Sequence, residues 1–263
     1  MKLFFRRFGT GFPVVILHGL FGISDNWVTF GKRLSEHFEI FIPDLRNHGQ
    51  SPKSPVFDFP ALTEDLFEFI DDHGLGKIIL IGHSLGGKTA MEFVFHYPER
   101  VRQLIIVDIG MRKYEGDKDH QKLIHAMLDV DFSLCRSRSD VEKQLAKTIN
   151  SIKIRQFLMK NVYWTDKTTM SWRLNLNTIY KNLPFIFDRV KLGSPFLGPT
   201  LFIRGELSDY IKDKDFELIL QKFPNAAIKI ISGASHWVHA DAPEEFYRVV
   251  LEFISALGQN NSI

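Results

Sequence analysis

Six short apolar runs punctuate the chain: VVILHG (14–19), IFIPDL (40–45), KIILIG (77–82), QLIIVD (103–108), TLFIRG (200–205) and AIKIISG (227–233). Each is bounded by glycine or acidic residues and predicts a strand buried on both faces, as in a parallel sheet. Between the runs the apolar spacing becomes helical. ALTEDLFEFIDDHG (61–74) places Leu62, Leu66, Phe67 and Ile70 on one face and closes at Gly74. LGGKTAMEFVFHYPE (85–99) stops at Pro98, and PEEFYRVVLEFISALG (243–258) starts at Pro243 and closes at Gly258, the ordinary asymmetry of helix ends. FFRRFGTG (4–11) adds an edge strand and a turn. Strands alternating with helices predict an α/β fold, a mostly parallel sheet covered by helices on both faces.

The alternation breaks once. From about Gly110 to Pro195 no run predicts a strand, and HQKLIHAMLDVDF, DVEKQLAKTINSI, IRQFLMKNVYW and LNTIYKNLPFIF read as short amphipathic helices. The expected organisation is therefore a core of residues 1–110 and 196–263 carrying a helical cap, 111–195, inserted after the strand that ends at Asp108. Such a cap would rest on the carboxyl edge of the sheet, where α/β proteins bind ligands.

Composition narrows the function classes. With 33 basic and 31 acidic side chains the formal charge is +2, which gives no broad positive field for nucleic acid. No stretch approaches the roughly 18 apolar residues of a membrane span, so stable membrane insertion is not expected. The one cysteine, Cys135, cannot form an intramolecular disulfide, and MKLFFRRF is too short an apolar start for a signal peptide. A cytoplasmic location is the expectation. Oligomeric state is not legible.

ILIGHSLGGKT (79–89) carries the chemistry and satisfies two patterns at once. Gly82-His83-Ser84-Leu85-Gly86 matches the G-x-S-x-G elbow of a nucleophilic serine. Gly82 to Thr89 matches a phosphate loop, with Lys88 and Thr89 as its functional residues and Asp108 as a magnesium ligand. A phosphate loop favours small residues that let several backbone N–H groups wrap an anion, and His83 and Leu85 fit that poorly. The serine reading requires partners elsewhere, and they are present. GASHWVHAD (233–241) follows the last strand and supplies His236 as the base, with His239 as a packing residue. HGLFG (18–22) opens a loop after the first buried strand whose N–H groups can face the serine, and the phosphate-loop reading explains neither segment. Two carboxylates compete for the acid: Asp108, directly at a strand end, is favoured over Asp209 in GELSDY (205–210), which stands one residue beyond Ser208, the position where an α/β-hydrolase usually carries such an acid, and both remain candidates.

HGLFGISDNW (18–27), DLRNHGQSP (44–52), GHSLGGKTAM (82–91), VDIG (107–110) and SHWVHAD (235–241) together resemble the α/β-hydrolase superfamily, and within it the small esterases of the YbfF type, related to the abhydrolase-domain 11 proteins. The resemblance spans nearly the whole chain apart from the cap. It implies the α/β-hydrolase fold and a carboxylesterase acting on short to medium acyl esters or thioesters through Ser84, His236 and the acid after the strand ending at Asp108. By analogy the oxyanion donors would be the N–H groups of Leu20 and Leu85. Arg46 and His48 of RNHG would support the site without doing chemistry. Phe132, Phe157, Met159, Tyr163, Trp164 and Trp172 are candidates for an acyl pocket. The expected partner is a small acyl ester, with no cofactor, no metal and no nucleic acid. A non-catalytic ligand binder, or a perhydrolase or carbon-carbon bond hydrolase on the same fold, is the alternative.

Overall fold

The computed structural model describes residues 1–114 and 117–256. The chain opens with β1 (Phe5–Phe8), β2 (Pro13–Leu17), α1 (Val28–Leu34), β3 (Glu39–Pro43), α2 (Phe59–Asp72), β4 (Ile78–His83), α3 (Leu85–His96) and β5 (Val101–Val107). An insertion follows, with α4 (Asp117–Leu128), α5 (Arg138–Ala146), α6 (Ile152–Met159), β6 (Val162–Trp164), β7 (Met170–Trp172) and α7 (Leu176–Phe187). The chain then returns through β8 (Thr200–Gly205), α8 (Phe216–Lys222), β9 (Ala226–Ile231), α9 (Val238–Asp241) and α10 (Pro243–Ser255).

Seven strands form one sheet in the order β1-β3-β2-β4-β5-β8-β9, parallel throughout except for β1, which pairs antiparallel with β3 at one edge. The central strands are apolar on both faces because each face is covered. Val15, Leu17, Leu80, Leu104 and Ile106 join the cluster beneath α2 and α3, while Val14, Ile16, Ile79, Ile81 and Ile105 join the one beneath α1 and α10. Helix α2 starts where Asp58 accepts the Ala61 N–H, and it buries Leu62, Leu66, Phe69 and Ile70. Gly258, expected to close the last helix, lies outside the described residues.

Two expectations need correction. Strand β9 is not buried on both faces; it forms the far edge of the sheet, which leaves Ala227, Lys229 and Ile230 exposed. The insertion is not wholly helical either, since β6 and β7 form a small antiparallel hairpin pairing Val162 with Trp172 and Trp164 with Met170. The two crossings of the insertion lie side by side: Tyr114 N–H donates to Phe187 O and Val190 N–H to Met111 O, both at 2.9 Å. No helix among the described residues is long and apolar enough to cross a membrane.

Candidate active site

Ser84 sits between the last residue of β4, the central strand, and the first of α3. Its backbone is left-handed, with φ 52° and ψ −116°, a conformation that costs a non-glycine residue of order 1–3 kcal/mol and persists only where its surroundings enforce it. The enforcement is steric. A Cβ at Gly82 would collide with the Gly86 carbonyl, and one at Gly86 would lie 2.5 Å from Leu17 O, so only glycine at both positions lets the turn close tightly against β2. The half-buried serine borders a cavity of about 280 Å³ that His18, Gly19, Leu20, His83, Phe157 and His236 also line.

His236 enters from the loop after β9, with its Nδ1 2.8 Å from Oδ2 of Asp108. Asp108 follows β5 directly, is fully buried and is itself left-handed at φ 49°. Its Oδ1 accepts the Gly205 N–H at 3.0 Å and its Oδ2 accepts the Ser208 hydroxyl. Donors on both oxygens satisfy the buried carboxylate and hold it in one orientation. The ring of Tyr210 stacks on His236 at 3.9 Å. His83 Nε2 lies 2.9 Å from the His236 carbonyl and donates to it, tying the elbow to the histidine loop.

The two rival acids are thus placed very differently. Asp108 meets His236, while Asp209 turns to solvent, 93% exposed, with Lys212 at 3.4 Å as its ion-pair partner. Leu20 stands in the loop after β2 and borders the cavity, and Leu85 follows Ser84 directly as the first residue of α3. His239, half-buried, stacks on Trp27 at 4.0 Å as a packing residue. Arg46 and His48 are both buried; Arg46 grips Asp65 through two bonds of 2.5 and 2.7 Å.

Neither Lys88 nor Thr89 lines the cavity. Thr89 Oγ1 donates to Leu85 O within α3. Lys88 is buried, donates to the carbonyls of Ile186 and Asp188 where the insertion ends, and has its pKa pushed down to about 7 by desolvation. Among the described residues no group of three or more His, Cys, Asp or Glu could hold a metal ion.

Of the six aromatic or methionine candidates in the insertion, Phe157 borders the cavity, beside Leu123 and Ile154. Phe132, Met159 and Trp172 pack into the core, Tyr163 lies against Arg173, and Trp164 is exposed. The sequence reading missed Ser208 as a partner of Asp108, Tyr210 as a partner of His236, and Asn161, whose buried Nδ2 reaches from the insertion to Phe21 O at 2.8 Å. A serine standing where an acid was expected was the one available signal.

A family described as the α/β hydrolase fold matches residues 13–141. The sn-1-specific diacylglycerol lipase ABHD11 of Danio rerio is 36% identical over 94% of this chain and 79% of its own length. The chain belongs to the α/β-hydrolase family. Within that family, the esterase YbfF of Escherichia coli is 31% identical over 92% of this chain and 93% of its own. A solved structure of a marine microorganism esterase is 41% identical, is matched over 96% of this chain and 99% of its own, and superposes with a TM-score of 0.93.

Proposed function

We propose that the protein is a carboxylesterase-type serine hydrolase that cleaves short to medium acyl esters through an acyl-enzyme. His236, held by Asp108 through Nδ1, takes the Ser84 proton through Nε2 as the serine attacks the ester carbonyl. The N–H groups of Leu20 and Leu85 receive the oxyanion, and His236 returns the proton to the departing alcohol. Water then attacks the acyl-enzyme by the same route. The insertion, 111–195, acts as a cap that supplies one wall of the acyl site.

The observation that carries this reading is the 2.8 Å contact of His236 Nδ1 with the buried carboxylate of Asp108, on a ring that borders the same cavity as the strained Ser84. The names of the relatives, esterases and lipases, support the reaction class. The cavity's size, about 280 Å³, falls at the small end of ligand sites, which run from about 300 to 1,000 Å³, and its apolar walls suit an acyl chain. Rates on p-nitrophenyl esters of increasing acyl length test the reading. Turnover that peaks at short to medium chains and vanishes in Ser84→Ala is expected; well-folded protein without turnover on any ester would favour a ligand-binding role.

A further inference from the structure

Two buried histidines, His18 bordering the cavity and His48 packed against His18, take no part in that proton transfer, yet both hold the loop that follows β2. We infer that His18 is a positioning residue that aims the Leu20 N–H at the reacting carbonyl by holding the other end of the same peptide bond. This role rests on the esterase reading above.

Leu45 N–H donates to His18 Nε2 at 3.0 Å, so that nitrogen carries a lone pair. A neutral ring then has its proton on Nδ1, and Nδ1 stands 2.8 Å from Gly19 O, to which it donates. Burial favours the neutral ring, lowering its pKa to about 4. Gly19 O also accepts the Gly22 N–H at 2.9 Å, so both lone pairs of that carbonyl are engaged.

The Gly19 carbonyl and the Leu20 N–H belong to one planar, trans peptide. Holding the oxygen on the histidine side therefore points the hydrogen the opposite way, and Gly19 and Leu20 line the cavity with Ser84. His48 repeats the arrangement one peptide on. Its Nε2 accepts the Phe21 N–H at 3.2 Å, and its Nδ1 donates to Arg46 O at 2.9 Å. Phe21 is left-handed at φ 61°, and its carbonyl accepts from Asn161 of the insertion. The donor peptide thus lies between two held points and needs no rearrangement when charge develops, which is what an oxyanion site requires.

The two ring nitrogens of His18 can be tested separately. An asparagine amide reaches about as far as Nδ1 and can still donate to Gly19 O; a glutamine reaches about as far as Nε2 and can still accept from Leu45. On p-nitrophenyl butyrate, His18→Asn is expected to keep kcat within about tenfold of the parent. His18→Gln is expected to lose about 100-fold in kcat with KM unchanged, the scale of a lost oxyanion donor. Binding of an alkyl trifluoromethyl ketone should weaken by the same factor in His18→Gln and little in His18→Asn. The reverse order, or equal losses that follow equal falls in Tm, would show that His18 serves only to join the two loops. Absence of turnover in the parent protein would remove the reaction and this role with it, whereas parent turnover with indistinguishable variants would remove the role alone.

Discussion

Ser208 donates its hydroxyl to Oδ2 of Asp108, the same oxygen that lies 2.8 Å from Nδ1 of His236. The loop after β8 thus contributes a donor to the carboxylate, while its own acid, Asp209, points into solvent. Asp108→Asn is expected to lower kcat by about 10⁴-fold, as loss of the orienting carboxylate does in Ser-His-Asp enzymes, and Asp209→Asn by less than about twofold. Ser208→Ala removes one bond to a charged group, worth about 1.5–3 kcal/mol, and should cost roughly 10- to 100-fold in kcat. Steady-state kinetics on one ester with all three variants check the assignment.

The elbow makes a steric prediction. A Cβ added at Gly86 meets the Leu17 carbonyl at 2.5 Å, and both atoms belong to rigid backbone. Gly86→Ala should destabilise the fold by about 1–3 kcal/mol, the usual cost of overpacking, and should cut turnover at least tenfold by displacing the Leu85 N–H. Denaturant melts and kinetics on the same preparation separate the two effects.

Phe157 on α6 faces the cavity and lies 5.4 Å from the ring of Trp237. Phe157→Ala should open the acyl wall, raising KM for the best short ester several-fold while lowering it for longer chains. A KM series over acyl length reads this directly.

Acid stability follows from the buried histidines. His18 and His48 have pKa values lowered to about 4 and about 3, both mainly by desolvation. Each is neutral in the folded protein below the pH at which an unfolded histidine, near 6.5, takes up its proton. The unfolded chain therefore binds more protons in that interval, and stability falls as pH drops from about 6.5 toward 4. A difference of this size is worth on the order of 3 kcal/mol for one histidine. Chemical denaturation at pH 7.5, 6, 5 and 4.5 should show that loss, and His18→Asn should flatten the curve by its share.

The strands of the sheet were legible because a strand covered on both faces must be apolar at every position, as Ile78–Ile81 and Leu104–Val107 are. Where burial is partial the pattern weakens: β9 carries Lys229 in mid-strand. In the hairpin, Val162, Met170 and Trp172 are the buried positions. Their three-residue strands are too short to display a period of two. Ser84 and His236 could be read from local motifs, since each marks a loop at the carboxyl end of a strand. The choice between Asp108 and Asp209 could not, because a one-residue offset decides which carboxylate reaches the imidazole. Ser208 and Asn161 act on partners about 100 and 140 positions away, and no spacing in the chain encodes such contacts.

The central claim is that Ser84 is a nucleophile activated by His236 and Asp108. A fluorophosphonate probe followed by peptide mapping tests it most directly. One stoichiometric adduct on Ser84 is expected in the native protein, none in Ser84→Ala, and labelling slowed by orders of magnitude in Asp108→Asn and in His236→Ala. An adduct on another residue, or no adduct on folded protein that still hydrolyses esters, would contradict it.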